Sequence, residues 1–105
     1  MFRKTRKGTQ NVLVDLGFED AEELSAKAML ALKLNQLMEQ RQLSQSEAAE
    51  LLGMSQPKVS AIHRYKLQNI SLERLMQAIV ALGQHVEIVV KPASRREPPQ
   101  ISVAA

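Results

Sequence analysis

Few side chains in this chain could do covalent chemistry, and their spacing excludes more than it offers. The two histidines, His63 and His85, lie 22 residues apart, and there is no cysteine. Without a thiolate or a carboxylate cluster beside either imidazole, neither a metal site nor a His-based catalytic pair is expected. The stretch GTQNVLVDLG (8–17) lacks the spacing of either nucleotide-binding fingerprint. No constellation supports an enzyme, and no cofactor is expected. What remains is hydrogen bonding and charge. The amides, hydroxyls and lysine of SQSEAAELLGMSQPKVS (44–60) are the densest group.

The net charge is only +3, but it is unevenly spread. Residues 1–8 carry Arg3, Lys4, Arg6 and Lys7, a charge of +4. Residues 9–55 sum to −5 and residues 56–105 to +4. Basic ends around an acidic middle fit a chain that meets a polyanion on one side. Ordinary surface charge with solvated basic tails fits equally well. The arm FRKTRK is open to the same two readings, a groove-following segment or a solvated one.

A length of 105 residues fits one domain. Hydrophobic residues make up 45% but aromatics only 3%, so aliphatic side chains and methionine must fill the core. That palette favours helices over a β-sandwich. No apolar run approaches the ~20 residues of a membrane span, and no apolar signal core follows the basic start. A cytoplasmic protein with no membrane partner is expected.

The elements that must position the polar group can be read from caps and periodicity. Residues 1–10 read as a flexible basic arm. NVLVDLGF (11–18) is a brief strand or a packed turn. Residues 20–42 read as one long helix, with Asp20 as its N-cap and a break near 30–33 as an alternative. Ser44 and Glu47 form an S-x-x-E capping box, and Gly53 suits a left-handed helix end. Ser55 then caps the next helix, whose first turn tolerates Pro57. Val59 and Ile62 point one way, while Gln56, Lys58, Ser60 and Ala61 lie away from them. A last helix begins at Ser71, buries Leu72, Leu75, Met76, Ile79 and Leu82, and ends at Gly83. QHVEIVV (84–90) reads as a strand that pairs with 11–16 or with a second copy. Residues 11–91 thus form the domain, and 92–105 a flexible tail.

Two short helices joined by a tight glycine turn, followed by a bundle helix, make a helix-turn-helix. The small Ala49 sits where the helices cross, and Gly53, Val59 and Ile62 follow at the expected positions. The segment LSQSEAAELLGMSQPKVSAIHR resembles the phage-repressor or XRE family of helix-turn-helix domains, with the match covering about residues 30–82. The flanks NVLVDLGFEDAEEL and SLERLMQAIVALGQHVEIVVKP resemble small XRE-type regulators, many of them HigA-like antitoxins. The resemblance implies a mainly α, lambda-repressor-like bundle with a short C-terminal strand for pairing or dimerisation.

It also implies roles. The helix at 55–64 would enter the DNA major groove N-terminus first. Gln56 would pair with an adenine edge, and Lys58 would reach guanine or phosphate. Ser60 would touch a base edge or the backbone, and Ala61 would offer a methyl to thymine. Gln45 would clamp phosphate at its helix N-terminus, and Ser55, Arg64 and Lys66 would face the backbone. Tyr65 departs from the family, where glycine often ends the recognition helix; it packs on the core or donates to phosphate. The implied function is a repressor that binds a near-palindromic operator as a homodimer. A second reading is an antitoxin that docks a ribonuclease toxin through the carboxylates at 19, 20, 22 and 23. Acids also suit a helix N-terminus with no partner at all.

Overall fold

The computed structural model describes residues 18–104, with side chains from residue 21 onward. The basic arm and the expected strand at 11–16 lie outside the described residues. Four helices follow in order: α1 (Phe18–Gln40), α2 (Gln45–Leu52), α3 (Gln56–His63) and α4 (Leu72–Ala81). α1 is continuous, so the alternative of a break near 30–33 does not hold. Its sequence explains why: it has no glycine, proline or β-branched residue. Ala26, Leu30, Ala31, Leu34, Leu37 and Met38 recur at helical spacing and are buried. α1 also begins two residues before Asp20, which therefore lies in its first turn rather than at its cap.

The three later helices begin alike. Ser44, Ser55 and Ser71 each hold an extended backbone and accept a bond from the N–H three residues on. Ser44 completes its box, because Glu47 returns a carboxylate oxygen to the Ser44 N–H at 2.8 Å. All four helices also end alike. At each end one residue turns left-handed, and two backbone bonds reach back into the last turn. At α2, Gly53 has φ +65, with Met54 N–H bonded to Ala49 O and Gly53 N–H to Glu50 O. Gln42, Tyr65 and Gly83 do the same for α1, α3 and α4. This is the Schellman arrangement, which satisfies carbonyls that no later turn can reach.

Long side chains then tie these ends to other helices. Arg74 of α4 donates from Nη2 to Leu52 O and Gly53 O, both at 2.8 Å. Arg41, just past α1, donates to Leu82 O at the end of α4. A Cβ on Gly83 would sit 3.2 Å from that guanidinium, so both the left-handed backbone and the close approach favour glycine there. Lys27, only 6% exposed, donates to Leu67 O at 3.1 Å and lies 3.5 Å from Glu23. Its buried charge is thereby hydrogen-bonded and paired.

The core sits between α1 and α4, with α2 and α3 closing it. Leu34, Val59, Ile62, Leu75 and Leu82 are its largest fully buried side chains. Ala48 and Ala49 are also buried, which lets α2 pack closely on α3. The expected strand at 84–90 is not found. The segment makes no strand ladder among the described residues. Its β-branched side chains favour extended backbone, but a strand also needs a neighbouring strand to pair with. Val86 packs on the core, whereas Ile88, Val89 and Val90 are 73%, 67% and 92% exposed. Beyond it, Lys91 pairs with Glu97 at 2.9 Å, Ile101 N–H reaches Glu22 at 3.4 Å, and Val103 packs against the core. No described helix is long and apolar enough to cross a membrane.

The Arg74 clamp makes a testable demand. Arg74→Ala should cost about 1–2 kcal/mol, the scale of a charge-assisted bond to helix-end carbonyls. Urea unfolding would show this as a lower midpoint at unchanged slope. An unchanged midpoint would remove the clamp from the account of the turn.

Candidate nucleic-acid interface

α3 is rooted by Val59 and Ile62, which are 2% and 0% exposed. Everything else on this helix follows from that rooting. Gln56 and Lys58 stand exposed in its first turn. Ser60 and Ala61 are half-buried, and Ala61 packs partly against the core. Its methyl is therefore the least available of the four expected base contacts. Ser55, Arg64, Tyr65 and Lys66 are exposed at the two ends of α3, and Gln45 is exposed at the start of α2.

The two helix starts differ in what they offer an anion. At α2, Ser44 Oγ takes the Glu47 N–H, which leaves the N–H groups of Gln45 and Ser46 pointing outward. The Glu47 carboxylate is already seated at this N-terminus, so the start of α2 is a hydrogen-bond donor more than a centre of positive charge. At α3, Pro57 removes one N–H and Ser55 takes that of Lys58. The charge there comes from side chains. Residues 51–72 contain Lys58, Arg64 and Lys66 and no carboxylate. A stretch of 22 residues with three bases and no acid, wrapped round an exposed helix, suits a polyanion.

The end of α3 is unusual. Tyr65 takes φ +59, a conformation glycine adopts freely and a bulky residue does not. The Arg64 side chain folds back so that its Nε donates to Ser60 O at 3.3 Å. That pins the guanidinium beside the last turn, and Tyr65 is 45% exposed next to it. Behind this turn, Asn35 of α1 donates from Nδ2 to Ile62 O at 3.1 Å. An open groove runs from the end of α1 past the start of α2 to α3. Glu39 and Glu47 line it, which makes it a poor seat for phosphate.

Two further residues border this surface. His63 is exposed at the C-terminal end of α3, seven positions beyond Gln56 and on the same side of the helix. Its helical spacing from Gln56 was the available signal. Asn35 carried no signal, because its partner is 27 residues away. Among the described residues, no three His, Asp or Glu side chains gather as metal ligands.

Comparison with known proteins adds two findings. The helix-turn-helix domain family matches residues 12–91. A solved structure described as "Putative XRE Family Transcriptional Regulator" is similar over 82% of this chain and 98% of that one, at 49% identity and a TM-score of 0.76. None of the curated proteins matches.

The strain at Tyr65 can be measured without any ligand. A left-handed non-glycine residue costs about 1–2 kcal/mol. Glycine's greater freedom in the unfolded chain returns roughly half of that. Tyr65→Gly should therefore raise stability by about 0.5–1 kcal/mol in thermal unfolding. A lower melting temperature would mean that packing of the ring outweighs the backbone strain.

Proposed function

The chain belongs to the helix-turn-helix domain family, and from that premise we propose that it is a transcriptional regulator that reads double-stranded DNA with α3. The observation that carries this reading is the exposed, acid-free surface of α3 and its flanks. Gln56 stands at the leading turn, where its amide can meet adenine N6 and N7 together. Lys58 serves guanine or phosphate, and Ser60 a base edge from its half-buried position. Ala61 adds at most an edge of its methyl. Gln45, Ser55, Arg64, Tyr65 and Lys66 hold the phosphate backbone on either side and so set the register of α3 in the groove. The XRE regulator name of the similar solved structure supports the same reading.

Further, the protein acts as an autoregulatory repressor on a near-palindromic operator. One protomer offers only three or so base-reading side chains, too few for useful discrimination in a genome. A homodimer doubles the readout and places two α3 helices on half-sites about 34 Å apart. The toxin-binding alternative has less support. Glu22 accepts a bond from Ile101 N–H, and Glu23 faces Lys27, so both carboxylates are engaged within the chain.

Fluorescence anisotropy with the gene's own upstream DNA and with a random duplex, at two salt concentrations, tests the proposal. Wild type should prefer the upstream site, and its affinity should fall steeply with salt. Gln56→Ala should lose about 1–3 kcal/mol on that site and little on random DNA. Equal, weak binding to both duplexes would refute sequence reading by α3. Footprinting that saturates on one asymmetric half-site would refute the dimer.

A further inference from the structure

Asn35 is half-buried where the core meets the groove. It lies on α1 beside Ala31, Leu34 and Met38, all of which are buried in the core. Asparagine is a poorer helix former than the leucine or alanine that fill the neighbouring positions. Its Oδ1 is buried and has no partner among the described residues. An apolar side chain would avoid both costs. What the amide contributes is one bond, from Nδ2 to Ile62 O. The orientation of the amide follows from chemistry, since only the NH2 group can donate to a carbonyl.

The carbonyl it reaches is a particular one. Ile62 O also accepts the Tyr65 N–H at 3.0 Å, and Lys66 N–H bonds to Ala61 O at 2.8 Å. These bonds form the left-handed turn that ends α3 and carries Arg64, Tyr65 and Lys66. We propose that Asn35 is a positioning residue for DNA reading: its amide fixes the C-terminal turn of α3 and so aims Gln56 at the other end. This rests on α3 being the reading helix. The lever is short. Eight residues span roughly 12 Å, so a 1 Å slip at the turn swings α3 by roughly 5°. Bidentate pairing with a base edge tolerates little of that.

Two variants test this. Asn35→Leu removes the polar group and suits the helix; Asn35→Asp keeps the shape and loses the donor. Each would be compared with wild type for melting temperature, for the affinity ratio between upstream and random duplexes, and for amide hydrogen exchange. The ratio should fall about tenfold in both, the equivalent of one net hydrogen bond. Amide exchange should quicken at Tyr65 and Lys66 and stay unchanged through α1. The Leu variant should melt no lower than wild type, so that a lost ratio cannot be ascribed to unfolding. If Leu does not fold, the Asp variant decides. Variants that keep the wild-type ratio would overturn the positioning role and leave α3 as the reader. A wild type that fails to discriminate would overturn the reading of α3, and the role of Asn35 with it.

Discussion

The fold depends on how its helix ends dispose of backbone carbonyls. A short helix is mostly ends. α2 and α3 have eight residues each, and the last four carbonyls of any helix lack a partner in the next turn. Left to themselves such helices would be marginal in water. Here each end closes in a left-handed turn that satisfies two carbonyls locally. Side chains from α4, from α1 and from just past α1 then supply what the turns do not: Arg74 to the end of α2, Asn35 to α3, and Arg41 to α4. The hydrophobic core presses the helices together, but it has no direction of its own. The hydrogen bonds at the ends add direction, tying each helix end to a particular neighbour. The tight turn between α2 and α3 follows from this, because a left-handed Gly53 leaves only Met54 and Ser55 before the next helix starts.

The features that could be read from the sequence are those fixed by neighbours within four or five positions. The Ser44–Glu47 box, the Ser55 and Ser71 caps, Gly53, Gly83 and the stripe of α4 are all of this kind. Each is a local hydrogen bond or a local period, so spacing alone reveals it. Arg74 and Arg41 were not readable, because their carbonyls lie 21 to 41 residues away. Gln42 and Tyr65 hid their left-handed turns, since neither residue type announces one. The strand at 84–90 failed for a different reason. Residue type reports extended backbone, but pairing depends on a neighbour that residue type does not name.

The interface shows the same division. Which side chains of α3 leave the core was readable because a helix-turn-helix has fixed periodicity: once Val59 and Ile62 point inward, Gln56, Lys58 and Ser60 must face elsewhere. How far each side chain emerges was not readable. Ala61 follows the outward count yet packs partly on the core. Tyr65 is the clearest case of conflict between levels. Local propensity asks for glycine there, and a tyrosine is present with its ring half in solvent. Backbone strain at an exposed position next to a basic surface is where function is expected to override stability.

Charge counting needs the structure as well. The chain from residue 56 onward is net basic in sequence, yet its bases do different things. Arg74 is committed to the α2 turn, and Lys91 faces Glu97. In α1, Lys27 is buried against Leu67 O, and just beyond it Arg41 is held at the end of α4. Lys27 and Lys91 are offset by carboxylates, whereas Arg74 and Arg41 bond neutral carbonyls and keep their charge, Arg74 at the turn just before α3. Lys58, Arg64 and Lys66 are exposed, clustered within nine residues, and without a nearby acid in sequence. Within a Debye length of about 8–10 Å such a cluster acts together. The surface of α3 is therefore locally basic, although the net charge of the whole chain is only +3. The cations bonded to helix ends hold the scaffold, and the exposed Lys58, Arg64 and Lys66 give the surface of α3 its local positive charge.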